Sequence, residues 1–152
     1  MTTSWILVAN SSEARLYSCQ RVKLMGGNRE SLTLVREYQH PESRKKSGEI
    51  ASDKYGYHPG LGSHSMPGTF TEPSDPHEYE AERFAMELAH ELESGRTAHQ
   101  YEDLMVVAPP SFQGRLNKHL NSLIKGIISV KIKKDYTRQK AHELCGTLCE
   151  YL

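Results

Sequence analysis

A chain of 152 residues is long enough to bury a real core as a single domain without disulfide or metal staples. Charged residues make up 25% and hydrophobic residues 37%, a soluble globular balance, and no apolar run approaches the roughly 20 residues that a membrane-spanning helix needs. Lysine plus arginine equals aspartate plus glutamate at 19 each, so net charge exerts no general pull toward nucleic acid or a membrane surface.

The chain begins without a basic segment, and its first apolar stretch ends after residues 5–9, which argues against a signal peptide and for the cytoplasm. That stretch, Trp5 through Ala9, reads as a buried strand. Asn10-Ser11-Ser12 is turn chemistry, because these side chains bond to nearby backbone. Residues 14–20 alternate, with Ala14, Leu16 and Ser18 against Arg15, Tyr17 and Cys19, and predict a second strand. Gly26-Gly27-Asn28 marks a turn of the kind that closes a hairpin. Residues 31–39 follow as a third strand, so the chain opens as an antiparallel meander.

Residues 40–76 break this pattern. Five glycines and five prolines punctuate them, and the large apolar residues are aperiodic. A connection this long in a compact domain is either functional or disordered, so a flexible loop is expected here, and with it a place for partner contact.

Asp75 offers an N-cap, Pro76 suits the first helical position, and Glu78 completes a capping box. Behind them Ala81, Phe84, Ala85, Leu88, Ala89 and Leu92 form one apolar stripe on a helix that ends near Gly95. Residues 104–108 form an apolar run without polar alternation, as expected of a central strand covered on both faces. Pro109 and Pro110 stop it. A second helix is expected to bury Phe112, Leu116, Leu120 and Leu123. A fifth strand falls over residues 127–132, and a terminal helix over 138–151 turns Leu144 and Leu148 inward.

The fold class is therefore α/β. A mixed five-stranded sheet, an antiparallel β-meander followed by α-β-α-β-α, spans residues 1–152 as one domain. The odd count of cysteines (Cys19, Cys145, Cys149) is no disulfide framework. Cys145 and Cys149, one helical turn apart, read as small buried hydrophobes rather than a metal or redox pair.

Several segments in register resemble the bacterial family named for attachment to host cells. They are Trp5–Asn10 with Ala14-Arg15-Leu16-Tyr17, His40-Pro41-Glu42-Ser43-Arg44, Ser52-Asp53-Lys54, the run from His77 through Glu82 and Arg83 to Ala89, Val107 to Leu116 across Pro109 and Pro110, and Lys134-Asp135-Tyr136-Thr137. That family is similar to the middle domain of archaeal and eukaryotic peptide-chain release factors. The resemblance implies a ribonuclease H-like topology and a connection with ribosome, tRNA or other RNA, while the family's label implies adhesion.

Two departures bear on catalysis. The resemblance calls for a Gly-Gly-Gln tripeptide in the loop at 40–76, and none is there; Gly26-Gly27-Asn28 lies one connection too early. A ribonuclease H-type nuclease wants a carboxylate on the first strand to hold magnesium, and this strand ends in Asn10. The chain therefore reads as non-enzymatic, with no cofactor and no metal. His40, His58, His64 and His77, with Asp53, Glu78 and Glu82, lack zinc-ligand spacing. Arg83 is read as one of a solvated pair with Glu87, with reach to the Pro109-Pro110 cleft as the alternative.

Charge is segregated. Residues 72–93 hold eight acidic side chains against Arg83, and residues 114–140 hold eight basic ones against Asp135. Lys131, Lys133, Lys134 and Arg138 could meet RNA phosphates, with Tyr136 as a stacking platform. Equally, the two segments could answer each other within the fold or across a homo-oligomer interface. Residues Asn10, Arg15, His40, Asp53, His77, Glu82, Arg83, Pro109 and Pro110 are the remaining site candidates. A hydrolase built around the 40–76 loop is the third reading.

Overall fold

The computed structural model describes residues 2–39 and 76–152. The 40–75 segment, with His40, Asp53 and the cap at Asp75, lies outside the described residues.

Strand β1 (Thr3–Ala9) pairs antiparallel with β2 (Glu13–Gln20), and β2 pairs antiparallel with β3 (Thr33–Gln39). Strand β4 (Asp103–Val107) adds parallel to β1, and β5 (Ile128–Ile132) adds parallel to β4. The sheet order is β3-β2-β1-β4-β5, mixed as expected. It places β1 at the centre, with both neighbours covering its backbone edges. Because β1, β4 and β5 run the same way, their carboxyl ends share one edge of the sheet.

Helix α1 (Arg21–Met25) joins β2 to β3, α2 (Pro76–Thr97) leads into β4, and α3 (Pro110–His119) with α4 (Ser122–Lys125) links β4 to β5. The chain closes with α5 (Ala141–Cys149). Every residue of the anticipated α2 stripe is buried, and Phe84 meets Phe112 of α3 at a ring separation of 5.9 Å. This face of the sheet, with Trp5, Leu7, Leu16, Leu104 and Val106, forms one core. The opposite face, with Ile6, Val8, Tyr17, Met105, Val107 and Ile132, packs on Leu24 of α1 and on Leu144, Cys145 and Leu148 of α5. Each large side chain so buried contributes roughly 1.5–3 kcal/mol. Cys145 and Cys149 behave as packing residues: their thiols sit against the Arg29 and Leu24 carbonyls at 3.4 Å.

The structure corrects the sequence reading in three places. The turn at Gly26-Gly27-Asn28 does lie between the antiparallel pair β2 and β3, but within a longer connection than a tight hairpin turn: it follows α1, whose single buried residue, Leu24, anchors it, and Gly27 takes a left-handed φ of 84°. The second helix does not continue to Leu123. Extended backbone at Leu120 interrupts it, Asn121 caps a fresh turn by accepting from the Ile124 N–H at 2.9 Å, and Ile124 is buried while Leu123 is 60% exposed. The terminal helix starts three residues later than expected, at Ala141, where the Lys140 N–H is bound by Glu143 at 3.0 Å.

Candidate functional site

The carboxyl ends of β1, β4 and β5 surround an open depression of about 220 Å³, lined by Asn10, Ser11, Ser12, Pro109, Ser111, Phe112, Arg115 and Asp135. Strand ends of parallel sheets are where α/β proteins place ligands.

Asn10 builds the first wall. Its Oδ1 accepts from the N–H groups of Ser12 and Glu13 at 2.8 and 2.9 Å, which folds the β1–β2 turn around the side chain. Its Nδ2 then donates across to Asp135 at 3.1 Å and to the Thr137 hydroxyl at 3.2 Å. Asn10 thus serves as a tie between strand end and tail.

Asp135 forms the opposite wall. Its Oδ1 accepts from the Thr137 backbone N–H at 3.0 Å and from the Thr137 hydroxyl at 2.6 Å. Burial alone would raise the pKa of this carboxyl; the bonds from Thr137 and Asn10 outweigh it and hold the value below the ordinary one. Arg15, on β2, secures the same tail by donating to the carbonyls of Thr137 and of Gln139, the latter at 3.0 Å. Gln113, buried beneath the cleft, donates to the carbonyls of Ala108 and Ile132 at 3.2 and 2.7 Å and so joins the ends of β4 and β5.

Pro109 forms part of the rim. Pro109 supplies extended backbone before α3 and Pro110 its first turn, so the helix opens at the cleft with its positive dipole end. One turn on, Arg115 lines the depression, held by Glu82 of α2 at 3.0 Å. His119 shares that carboxylate. Burial would raise the Glu82 pKa, but the bonds from His119 and Arg115 lower it.

The sequence candidates therefore separate. Asn10 and Pro109 converge on the cleft, Pro110 opens α3 beside it, Arg15 acts one layer behind it, and Glu82 acts through Arg115. Arg83 does not reach the cleft, and its partner is Glu80 at 3.3 Å rather than Glu87; Glu80 is itself buried. His77 lies in the first turn of α2, half-buried. Lys131, Lys133, Lys134 and Arg138 are exposed along and beyond β5. Tyr136 is half-buried against the second core, its hydroxyl 3.3 Å from that of Tyr151, which leaves it less open as a stacking platform than expected. In the sequence, Asp135 and Thr137 stand out only as members of a motif, and Gln113 does not stand out at all. No local signal marks Gln113, since its two acceptors come from different strands.

Among the described residues, no group of three or more His, Cys, Asp or Glu side chains is placed to hold a metal ion, and no helix is long and apolar enough to cross a membrane.

Fold and site together define an α/β protein with a mixed five-stranded sheet and a polar cleft at the ends of its parallel strands. The profile of the family described as "protein required for attachment to host cells" matches residues 5–148, and the chain belongs to that family. It is similar to an uncharacterized protein of Rickettsia prowazekii (strain Madrid E), 29% identical over 133 residues that cover 86% of this chain and 81% of the relative.

Proposed function

We propose that this chain is a non-enzymatic, release-factor-like module that works in the cytoplasm by binding RNA, ribosomal or transfer, along the basic stretch that begins on β5. One observation carries the reading. The ion pairs seen between described residues use other cations, namely Arg21, Arg36, Arg83, Arg96, Arg115 and His119. Lys131, Lys133, Lys134 and Arg138 are exposed and take part in none of these pairs. Clustered exposed cations that join none of these pairs suit a polyanion, whose binding releases condensed counterions. The strand order β3-β2-β1-β4-β5 supports a ribonuclease H-like topology akin to the release-factor middle domain. Asn10 at the end of β1, committed to turn and tail contacts, favours binding over hydrolysis.

The test is binding of a labelled single-stranded RNA across a salt series. Replacing Lys131, Lys133 and Lys134 together by Glu is expected to weaken binding and to flatten the slope of log K against log salt by about 2, at roughly 0.7 for each phosphate no longer neutralised. Unchanged affinity and slope would reject the reading.

A second reading, an interaction module acting as a homo-oligomer in keeping with the family description, draws on β3. This strand closes one edge of the sheet and leaves Leu34 and Val35 50% and 44% exposed. It requires a defined oligomer by light scattering that Leu34→Lys disperses; a monomer at all concentrations would dismiss it.

A further inference from the structure

We infer that the strand-end cleft seats one sugar-phosphate unit of an RNA strand, with Asp135 accepting the ribose 2′-hydroxyl and Arg115 meeting the adjoining phosphate. The inference rests on the RNA reading above and assigns the cleft a task that the basic stretch cannot perform, telling RNA from DNA.

Size and chemistry set the ligand class. The depression, about 220 Å³, is smaller than the roughly 300 Å³ at which pockets for drug-sized molecules begin, and its lining is predominantly polar. The apolar walls that would grip a base are missing from it apart from Phe112 and Pro109. A sugar-phosphate fits better than a nucleobase.

Two opposite charges face this space with bonding capacity left over. Arg115 commits Nη1 to Glu82 and to the Glu78 carbonyl, which leaves Nε and Nη2 without a partner among the described residues. The Glu82 contact fixes the guanidinium, so little side-chain entropy is lost when it takes an anion. Asp135 has Oδ1 filled by two donors from Thr137, whereas Oδ2 takes one bond, from Asn10. An ionised carboxylate accepts about four hydrogen bonds, so Oδ2 has room for a ligand hydroxyl. The bonds that hold Asp135 ionised keep it an acceptor at neutral pH. The hydroxyls of Ser11, Ser12 and Ser111 line the same space.

A bare anion would be repelled by Asp135 and a bare cation by Arg115. A ligand that offers a hydroxyl donor beside a phosphate satisfies both, and the 2′-hydroxyl is the group that separates RNA from DNA at such a site. Lys133 and Lys134 directly precede Asp135, so a strand held by the basic stretch passes the cleft.

The experiment compares three labelled strands on the full chain by fluorescence anisotropy: polyuridylate, its 2′-deoxy counterpart and its 2′-O-methyl counterpart, which cannot donate. The RNA is expected to bind roughly tenfold more tightly than either analogue, the equilibrium equivalent of one charge-assisted hydrogen bond. Asp135→Asn, with folding verified by circular dichroism, is expected to bind all three alike. The ligand series decides the matter on the unaltered protein even where the variant folds poorly. Equal binding of all three strands by the unaltered chain overturns the cleft assignment and leaves RNA binding standing, whereas binding of none overturns both. Discrimination that persists in Asp135→Asn removes Asp135 from the role.

Discussion

Gly95→Ala sets two effects of opposite sign against each other at one atom. Gly95 lies in the last turns of α2 and is buried. Alanine in place of glycine inside a helix is ordinarily stabilising by up to about 1 kcal/mol. Here a Cβ would fall inside van der Waals contact of Trp5 Cη2 and Cζ3 and 3.2 Å from Tyr101 Cε1. The indole cannot retreat, because Tyr101 stacks on it with centroids 4.5 Å apart and is anchored by its hydroxyl to the Leu92 carbonyl at 2.7 Å. Overpacking of this kind costs typically 1–3 kcal/mol, and a disrupted aromatic pair a further 0.5–1.5 kcal/mol or so. Steric cost exceeds propensity, and Gly95→Ala is expected to destabilise the fold by about 1–3 kcal/mol. Urea unfolding reads this directly, since Trp5 is the single tryptophan and reports on its own displacement. A variant that gains stability while its tryptophan emission stays unchanged would refute the packing argument.

Two further expectations test other parts of the structure. His99 holds a left-handed φ of 57° at the C-terminal end of α2, where the N–H of Gln100 reaches back to the Gly95 carbonyl at 2.9 Å; His99→Gly is expected to raise stability by about 0.5–1 kcal/mol in the same assay, and a loss would count against strain there. Asp135 and Glu82 both have lowered pKa values in the folded chain, so on acidification the unfolded chain binds protons first and stability falls as pH falls. Their contribution is complete above the ordinary carboxylate range and is lost as pH drops through the lowered values. Asp135→Asn and Glu82→Gln should each flatten the acid limb of stability against pH, and profiles superimposable on the unaltered protein's would contradict the assignment.

What was legible in the sequence follows from how locally each feature is encoded. The α2 stripe runs from Ala81 to Leu92 at helical spacing and needs no partner to be recognised. The same holds for the unbroken apolar run into Pro109, which could only be a strand buried on both faces. Helix α1 was illegible because five residues with one buried side chain, Leu24, carry no period. The end of α3 was misplaced because Leu123 continues the spacing as well as Ile124 does; the deciding signal was Asn121-Ser122, a cap pair that restarts the helix. In the cleft, Asn10 and Pro109 could be read as strand ends. Their meeting with Asp135, 125 residues from Asn10, could not, since tertiary proximity leaves no mark on spacing.

The opposed charge blocks, balanced between two readings in the sequence, are divided by the fold. Arg115 and His119 of α3 turn toward Glu82, and Asn121 toward Glu93 at 2.7 Å, so the first part of the basic block answers the acidic helix inside the molecule. The later part, from Lys131 to Arg138, leaves α2 behind and runs out along β5 past the cleft, where no carboxylate of the described residues forms an ion pair with it. Among the described residues, internal complementarity therefore accounts for α3, while in the tail after β5 it extends to Arg138 beside Asp135. The same α2–α3 contact that removes Arg115 from a general basic surface fixes it at the cleft. Neutral total charge thus combines an acidic and basic pair of helices that meet inside the molecule with an exposed basic stretch beside the cleft.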